Sequence, residues 1–129
     1  MTYTSNLDDN YNPYPGMIFT DPAPNTDGDW AKYGCFDHVD YTNRDINAKV
    51  FLGILSGDKE LVAKETGKKN PKVLSAGPDD TVFTYFIDHG DDDIICVGDD
   101  DVSSSELMTA LKTAYEKKLY GKWVWFMEA

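Results

Sequence analysis

Residues 82–90 read "VFTYFIDHG": six β-branched or aromatic residues run directly into an aspartate, a histidine and a glycine. A short, continuous apolar run bounded by turn residues predicts a strand buried on both faces, hence a parallel central strand with helices above and below it. His89, one of only two histidines in the chain, then stands just past the strand's carboxyl end. Composition alone favours a turn residue hydrogen-bonded to backbone; the competing reading is a general acid or base.

Working towards the C-terminus, "IICV" at 94–97 is a shorter strand between two aspartate triplets, Asp91 to Asp93 and Asp99 to Asp101. Neither triplet has the alternating oxygen ligands, central glycine and terminal glutamate of a calcium loop, so a solvated hairpin is the favoured reading. Ser103 with Glu106 three residues later is a capping box. It opens a helix with Leu107, Met108, Leu111, Tyr115 and Leu119 as its inner stripe, Lys117 and Lys118 near its negative end, and Gly121 as its stop. "WVWFM" at 123–127 is a second apolar strand, followed by Glu128 and Ala129. Strand, crossover helix and strand make a βαβ unit, whose strands run parallel and end on one edge. Ligands bind at that edge in open α/β sheets, so Asp88, His89, Gly90 and Glu128 should converge there. Gly90 would let the backbone approach a substrate closely, with its N–H a candidate oxyanion donor.

Working towards the N-terminus, "SAGPDD" at 75–80 is a turn, and Lys64, Lys68, Lys69 and Lys72 form a basic, solvated loop. Val50, Phe51, Ile54 and Leu55 share one face of a helix over 48–56, with an N-cap residue in front and Gly57 at its stop; "DKELVAKE" adds a further turn or two. The stretches "NPYPG", "DPAP" and "NTDGD" make the first part of the chain a succession of turns, with Trp30 and the tyrosines sticking it to a core. The chain is thus one domain, with a turn-rich excursion over 1–46 and a core of helix, strand, hairpin, helix and strand over 47–129.

Twenty-three acidic against twelve basic side chains leave a net charge of −11. That charge repels a phosphate backbone and an anionic membrane face, which argues against nucleic acid and membrane partners. No apolar run approaches the roughly 20 residues that span a bilayer. The opening "MTYTSNLDDN" has neither the basic start nor the apolar middle of a signal peptide. A bridge between Cys35 and Cys96, or a zinc site from Cys35, His38, His89 and Cys96, is not favoured, because the second pair lacks the short ligand spacing of structural zinc sites. His38, in "CFDHVDY", reads as a surface or packing residue. No metal or other cofactor is expected.

"NPYPG", "DINAKVFLGILSGD", "SAGPDDTVFTYFIDHG" and the closing "WFMEA", in this order, resemble the legumains, asparaginyl endopeptidases of the cysteine type. The likeness covers nearly the whole chain. It implies a caspase-like fold: an α/β three-layer sandwich, a mostly parallel sheet with flanking helices. By resemblance His89 matches the catalytic histidine, Gly90 the residue whose N–H helps to hold the oxyanion, and Asp88 the aspartate before the histidine. Glu128 matches an acidic residue lining the pocket for the substrate asparagine, whose carboxamide both donates and accepts hydrogen bonds. The implied partners are peptide or protein substrates with asparagine at the cleavage site. The implied compartment is lysosome or vacuole, with no targeting signal in these residues.

Three departures qualify the likeness. The family's nucleophilic cysteine follows the Glu-Ala pair directly, whereas these residues end at Ala129, and neither Cys35 nor Cys96 stands at the expected strand end. The family also has, before the stretch matching the opening "MTYT", a first strand, a helix and most of a second strand that carry a pocket arginine. The expectation is therefore a partial domain without its nucleophile, its first strand or its first helix, inactive alone. Asp91 to Asp93 also make the approach to the site more acidic than the small polar residues and glycine often found there. Two further readings compete: a catalytically dead, acidic binding module, and a relative of the transamidase that attaches lipid anchors on the same fold.

Overall fold

The computed structural model describes Met1 and residues 39–129 of the chain. These fall into two units, Met1–Ile46 and Asn47–Ala129. In the first, the described residues form a 3-10 turn, Asn43–Asp45. Residues 2–38 of the turn-rich excursion, with Trp30, Cys35 and His38, lie outside the described residues.

The second unit runs α1 (Ala48–Leu55), α2 (Lys59–Thr66), β1 (Thr81–Ile87), β2 (Gly90–Asp91), β3 (Ile94–Val97), β4 (Asp100–Ser103), α3 (Ser104–Glu116) and β5 (Lys122–Glu128). As the sequence pattern predicts, β1 and β5 pair in parallel, in register from Thr81 opposite Lys122 to Ile87 opposite Glu128. The segment between them holds the expected hairpin, an antiparallel β2–β3–β4 sheet. The result is an α/β fold with a parallel pair and flanking helices. No helix among the described residues is long and apolar enough to cross a membrane.

Local chemistry explains most of the element boundaries. Asn47 caps α1 by accepting from the Val50 N–H at 3.0 Å, and Asp100 Oδ2 accepts from the Ala48 N–H at 3.1 Å. One aspartate of the second triplet is therefore spent on satisfying a free helix donor. Gly57, with φ +66°, turns the chain, and Asp58 starts α2 as a separate helix by accepting from the Leu61 N–H. The two helices approach closely because position 53 is glycine: a Cβ there would lie 2.8 Å from Cγ2 of the fully buried Val62. Val50, Val62 and Val102 are the largest side chains fully withdrawn from water.

Three expectations need correction. First, β1 is not buried on both faces. Phe83, Tyr85 and Ile87 are 60–63% exposed, while Phe86 on the other face meets Phe51 of α1 with ring centroids 5.7 Å apart. The described helices cover one side of the strand, and an apolar run alone does not report how many sides are covered. Second, the capping box is present as expected, with Ser103 Oγ accepting from the Glu106 N–H and Glu106 Oε2 accepting from the Ser103 N–H at 2.9 Å, but the helix turns a different arc inwards. Ala110 and Ala114 are buried, whereas Met108 and Tyr115 are 62% and 68% exposed. Third, α3 ends through Lys118 in the left-handed region (φ +57°), not through Gly121. Gly121 is required by close approach instead: a Cβ there would run into the Pro78 carbonyl.

Candidate active site

The register of β1 on β5 brings the expected site residues to one edge. Ile87 lies opposite Glu128, and the next backbone bond, from the Asp88 N–H to the Glu128 carbonyl at 3.2 Å, carries the pairing past the end of β1. His89 and Gly90 follow at once, and a Cβ on Gly90 would lie 3.0 Å from that of Ala129. The two strand ends are therefore in contact. Asp88 turns its carboxylate back on the chain, Oδ1 accepting from the His89 N–H at 2.8 Å. Glu128 is exposed on the sheet face that also carries Tyr85, Ile87 and Phe126, since residues in register in a parallel pair share a face.

The hairpin holds His89 from the other side. The Cys96 N–H donates to the His89 carbonyl at 2.8 Å, and Gly90 and Asp91 lie opposite Ile95 and Ile94. Bonded and non-bonded pairs alternate in an antiparallel ladder. With 89 and 96 bonded, Gly90 falls at a non-bonded pair, so its N–H points away from β3. That is the geometry a donor to a bound group needs. His89 is exposed.

Cys96 lies across the ladder from His89, so a thiol and an imidazole stand on neighbouring strands. The thiol nonetheless donates to Asp101 Oδ1 at 3.6 Å. Its pKa is raised above the ordinary thiol value, first by partial burial, then by the hydrogen bond to Asp101, and then by the negative charges of Asp101, Asp88 and Asp91. A nucleophilic cysteine needs the opposite surroundings. Among the described residues no group of three or more histidine, cysteine, aspartate or glutamate side chains is arranged to hold a metal ion.

Two participants escaped the sequence reading. Asp101 appeared there only as a member of a charge run, and pairing β3 with β4 is what sets it opposite Cys96. Ala129 was read only as part of the Glu-Ala pair, and its contact with Gly90 depends on the strand register. Glycine at 90 thus permits a close approach to Ala129 and to the Ile94 carbonyl within the chain itself.

Comparison with known proteins identifies the family. The chain is 36% identical to mouse legumain over 129 residues, all of this chain and 28% of the mouse protein. It is 37% identical to the hemoglobinase of Schistosoma mansoni over 118 residues, 92% of this chain and 24% of that protein. To the vacuolar-processing enzyme delta-isozyme of Arabidopsis thaliana it is 32% identical over 119 residues, 92% of this chain and 23% of that protein. The chain thus spans between a quarter and a third of mouse legumain and somewhat less than a quarter of the other two. With residues 1–129 matching the Peptidase C13 family throughout, the chain belongs to that family, which includes the legumains.

Proposed function

We propose that these residues form the histidine half of a cysteine endopeptidase that cleaves after asparagine. His89 moves the proton, the Gly90 N–H stabilises the oxyanion, and Glu128, with Asp88 beside the histidine, contributes to the pocket for the asparagine carboxamide. The nucleophile is assigned to a cysteine directly after Ala129, where the legumain pattern has it. In the reaction the thiolate attacks the scissile carbonyl carbon, the carbonyl π electrons move onto oxygen, and the Gly90 N–H donates to the resulting oxyanion. Collapse of the tetrahedral intermediate expels the amine, which takes a proton from His89. Water, deprotonated by the same imidazole, then attacks the thioester carbonyl carbon left by the first step, and breakage of the C–S bond releases the acid and restores the thiolate with its imidazolium.

The observation that supports this reading most is the contact between the strand ends. The β1–β5 register and the Gly90–Ala129 approach set the turn that carries His89 beside the end of β5, so a residue following Ala129 would emerge next to that turn. Residence in a lysosome or vacuole goes with the reading, since relatives bear the names legumain and vacuolar-processing enzyme. The test is hydrolysis of matched peptides with asparagine, aspartate or glutamine before the scissile bond by the full-length protein, with and without His89→Ala. Cleavage confined to asparagine, or to asparagine and aspartate, and lost in the variant is expected. Equal cleavage of all three peptides, or cleavage that survives the substitution, defeats the assignment.

A further inference from the structure

Gly90 is wedged between two parts of the fold. A Cβ added there would meet the Ala129 Cβ at 3.0 Å, the Ile94 carbonyl oxygen at 3.2 Å and the Ala129 carbonyl carbon at 3.3 Å. The first and last belong to the residue that follows β5, and the second to β3 of the hairpin. The residues before Gly90 are tied on the same two sides, by the Asp88 N–H to the Glu128 carbonyl at 3.2 Å and by the Cys96 N–H to the His89 carbonyl at 2.8 Å. Neither Gly90 nor Ala129 is buried. Their contact therefore adds little to a core, and its consequence is geometric.

We propose that Gly90 and Ala129 form a spacing contact, in which two small residues let the His89 turn lie against the end of β5 and so set the distance from the imidazole to the residue after Ala129. The catalytic consequence rests on the functional reading above; the contact itself does not. Ala129 is then a positioning residue: it touches neither substrate nor reacting atoms and acts through Gly90. An added methyl group at 90 has to push either the end of β5 or the hairpin away, and both displacements carry His89 with them or leave the strand end behind. Misplacement by about 1 Å lowers a rate by as much as about 100-fold, and a contact tightened to 3.0 Å forces part of such a shift.

The test is a size swap in the full-length protein, with Gly90→Ala, Ala129→Gly and the double variant assayed on an asparagine peptide. Gly90→Ala is expected to lower kcat by about 10-fold or more with little change in KM or in melting temperature. In the double variant the Cβ–Cβ encounter is gone, while the Ile94 carbonyl oxygen at 3.2 Å and the Ala129 carbonyl carbon at 3.3 Å still crowd the new methyl group, so part of the lost kcat should return. A double variant as slow as Gly90→Ala overturns the proposal, because the loss then arises from some other effect of the methyl group. If the unsubstituted protein does not cleave asparagine peptides, the functional reading falls and the contact is judged by NMR. A nuclear Overhauser effect from the Ala129 methyl to the Gly90 Hα, with a His89 ring resonance that moves in Gly90→Ala and returns in the double variant, supports it; lack of either overturns it.

Discussion

Replacing Gly121 by alanine tests how firmly the start of β5 is held, and β5 carries Glu128 and Ala129 to the site. A Cβ at 121 would run into the Pro78 carbonyl oxygen and lie 3.0 Å from the Pro78 carbonyl carbon and 3.4 Å from the Asp80 oxygen. All three are backbone atoms, so no rotamer change relieves them. The turn that bears them is closed by the Asp80 N–H to the Gly77 carbonyl at 3.1 Å and by the Gly77 N–H to Asp80 Oδ2 at 2.8 Å, and proline restricts it further. It is also clamped to β5, because Gly121 and Lys122 both donate to the Asp80 carbonyl. Overpacking typically costs about 1–3 kcal/mol, and with only main chain to displace, the upper end applies. Gly67→Ala is the control: it places a side chain at φ +72° with no atom within 4 Å, so only the left-handed backbone penalty of about 1–2 kcal/mol operates. Urea unfolding followed by the fluorescence of Trp123 and Trp125 should show Gly121→Ala losing about 3 kcal/mol, clearly more than Gly67→Ala. At roughly 4 °C per kcal/mol, its melting point should fall by on the order of 10 °C. A loss no larger than that of Gly67→Ala would refute the argument that the turn cannot yield.

Because His89 is exposed, His89→Ala should change unfolding free energy by no more than about 0.5 kcal/mol while lowering asparagine-peptide hydrolysis by at least about 100-fold; a large loss of stability would show the residue to be structural. Ser103→Ala removes the cap of α3 and should destabilise the chain by about 1 kcal/mol, read by thermal melting. The same cap sets a pH dependence. Hydrogen bonds from the Ser103 hydroxyl and N–H hold the Glu106 carboxyl below its usual range, so its contribution is complete above the unfolded carboxylate pKa and is lost as pH falls through the lower folded value. Ser103→Ala should therefore show a smaller loss of stability on acidification, and an unchanged acid limb would contradict the coupling. Cys96, raised by partial burial and by Asp101, should alkylate with iodoacetamide more slowly than a free thiol at neutral pH and faster in Asp101→Asn; identical rates in the two proteins would remove the carboxylate from the explanation.

What could be read from sequence followed from short-range chemistry. The apolar run at 82–87, the Ser103–Glu106 box and "WVWFM" each determine an element through groups only a few residues apart, and each element forms. The parallel pairing then follows from connectivity, and with it the meeting of Asp88, His89, Gly90 and Glu128 at one edge. The features that could not be read are all long-range. Gly121 looked like a helix stop because glycine commonly is one, yet its need arises 43 residues upstream at Pro78. Of the expected inner stripe of α3, Leu107, Leu111 and Leu119 are half-buried while Met108 and Tyr115 are exposed, and the most buried positions are Ala110 and Ala114, because large apolar residues dominate a periodicity count. In the same way Phe83, Tyr85 and Ile87 are as apolar as a core strand requires and still face outwards, because hydrophobicity does not specify which neighbour covers a sheet.

Cys96 shows why the nucleophile is assigned to β5 when a cysteine already stands across the ladder from the histidine. Two conditions define a thiol–imidazole pair: adjacency, and surroundings that favour thiolate. Cys96 meets the first through its backbone bond to His89 and fails the second, since burial and the carboxylates of Asp101, Asp88 and Asp91 all favour the protonated thiol. Removing one of them would not reverse the balance while the others remain. The aspartates are also not free to vary as a set, because Asp100 of the same run caps α1. Cys96 is the free thiol among the described residues, and the proposal accordingly looks for the reacting sulfur beside the end of β5, which is in contact with Gly90. The acidic hairpin is therefore consistent with the proposed mechanism, because its carboxylates favour the protonated form of the Cys96 thiol.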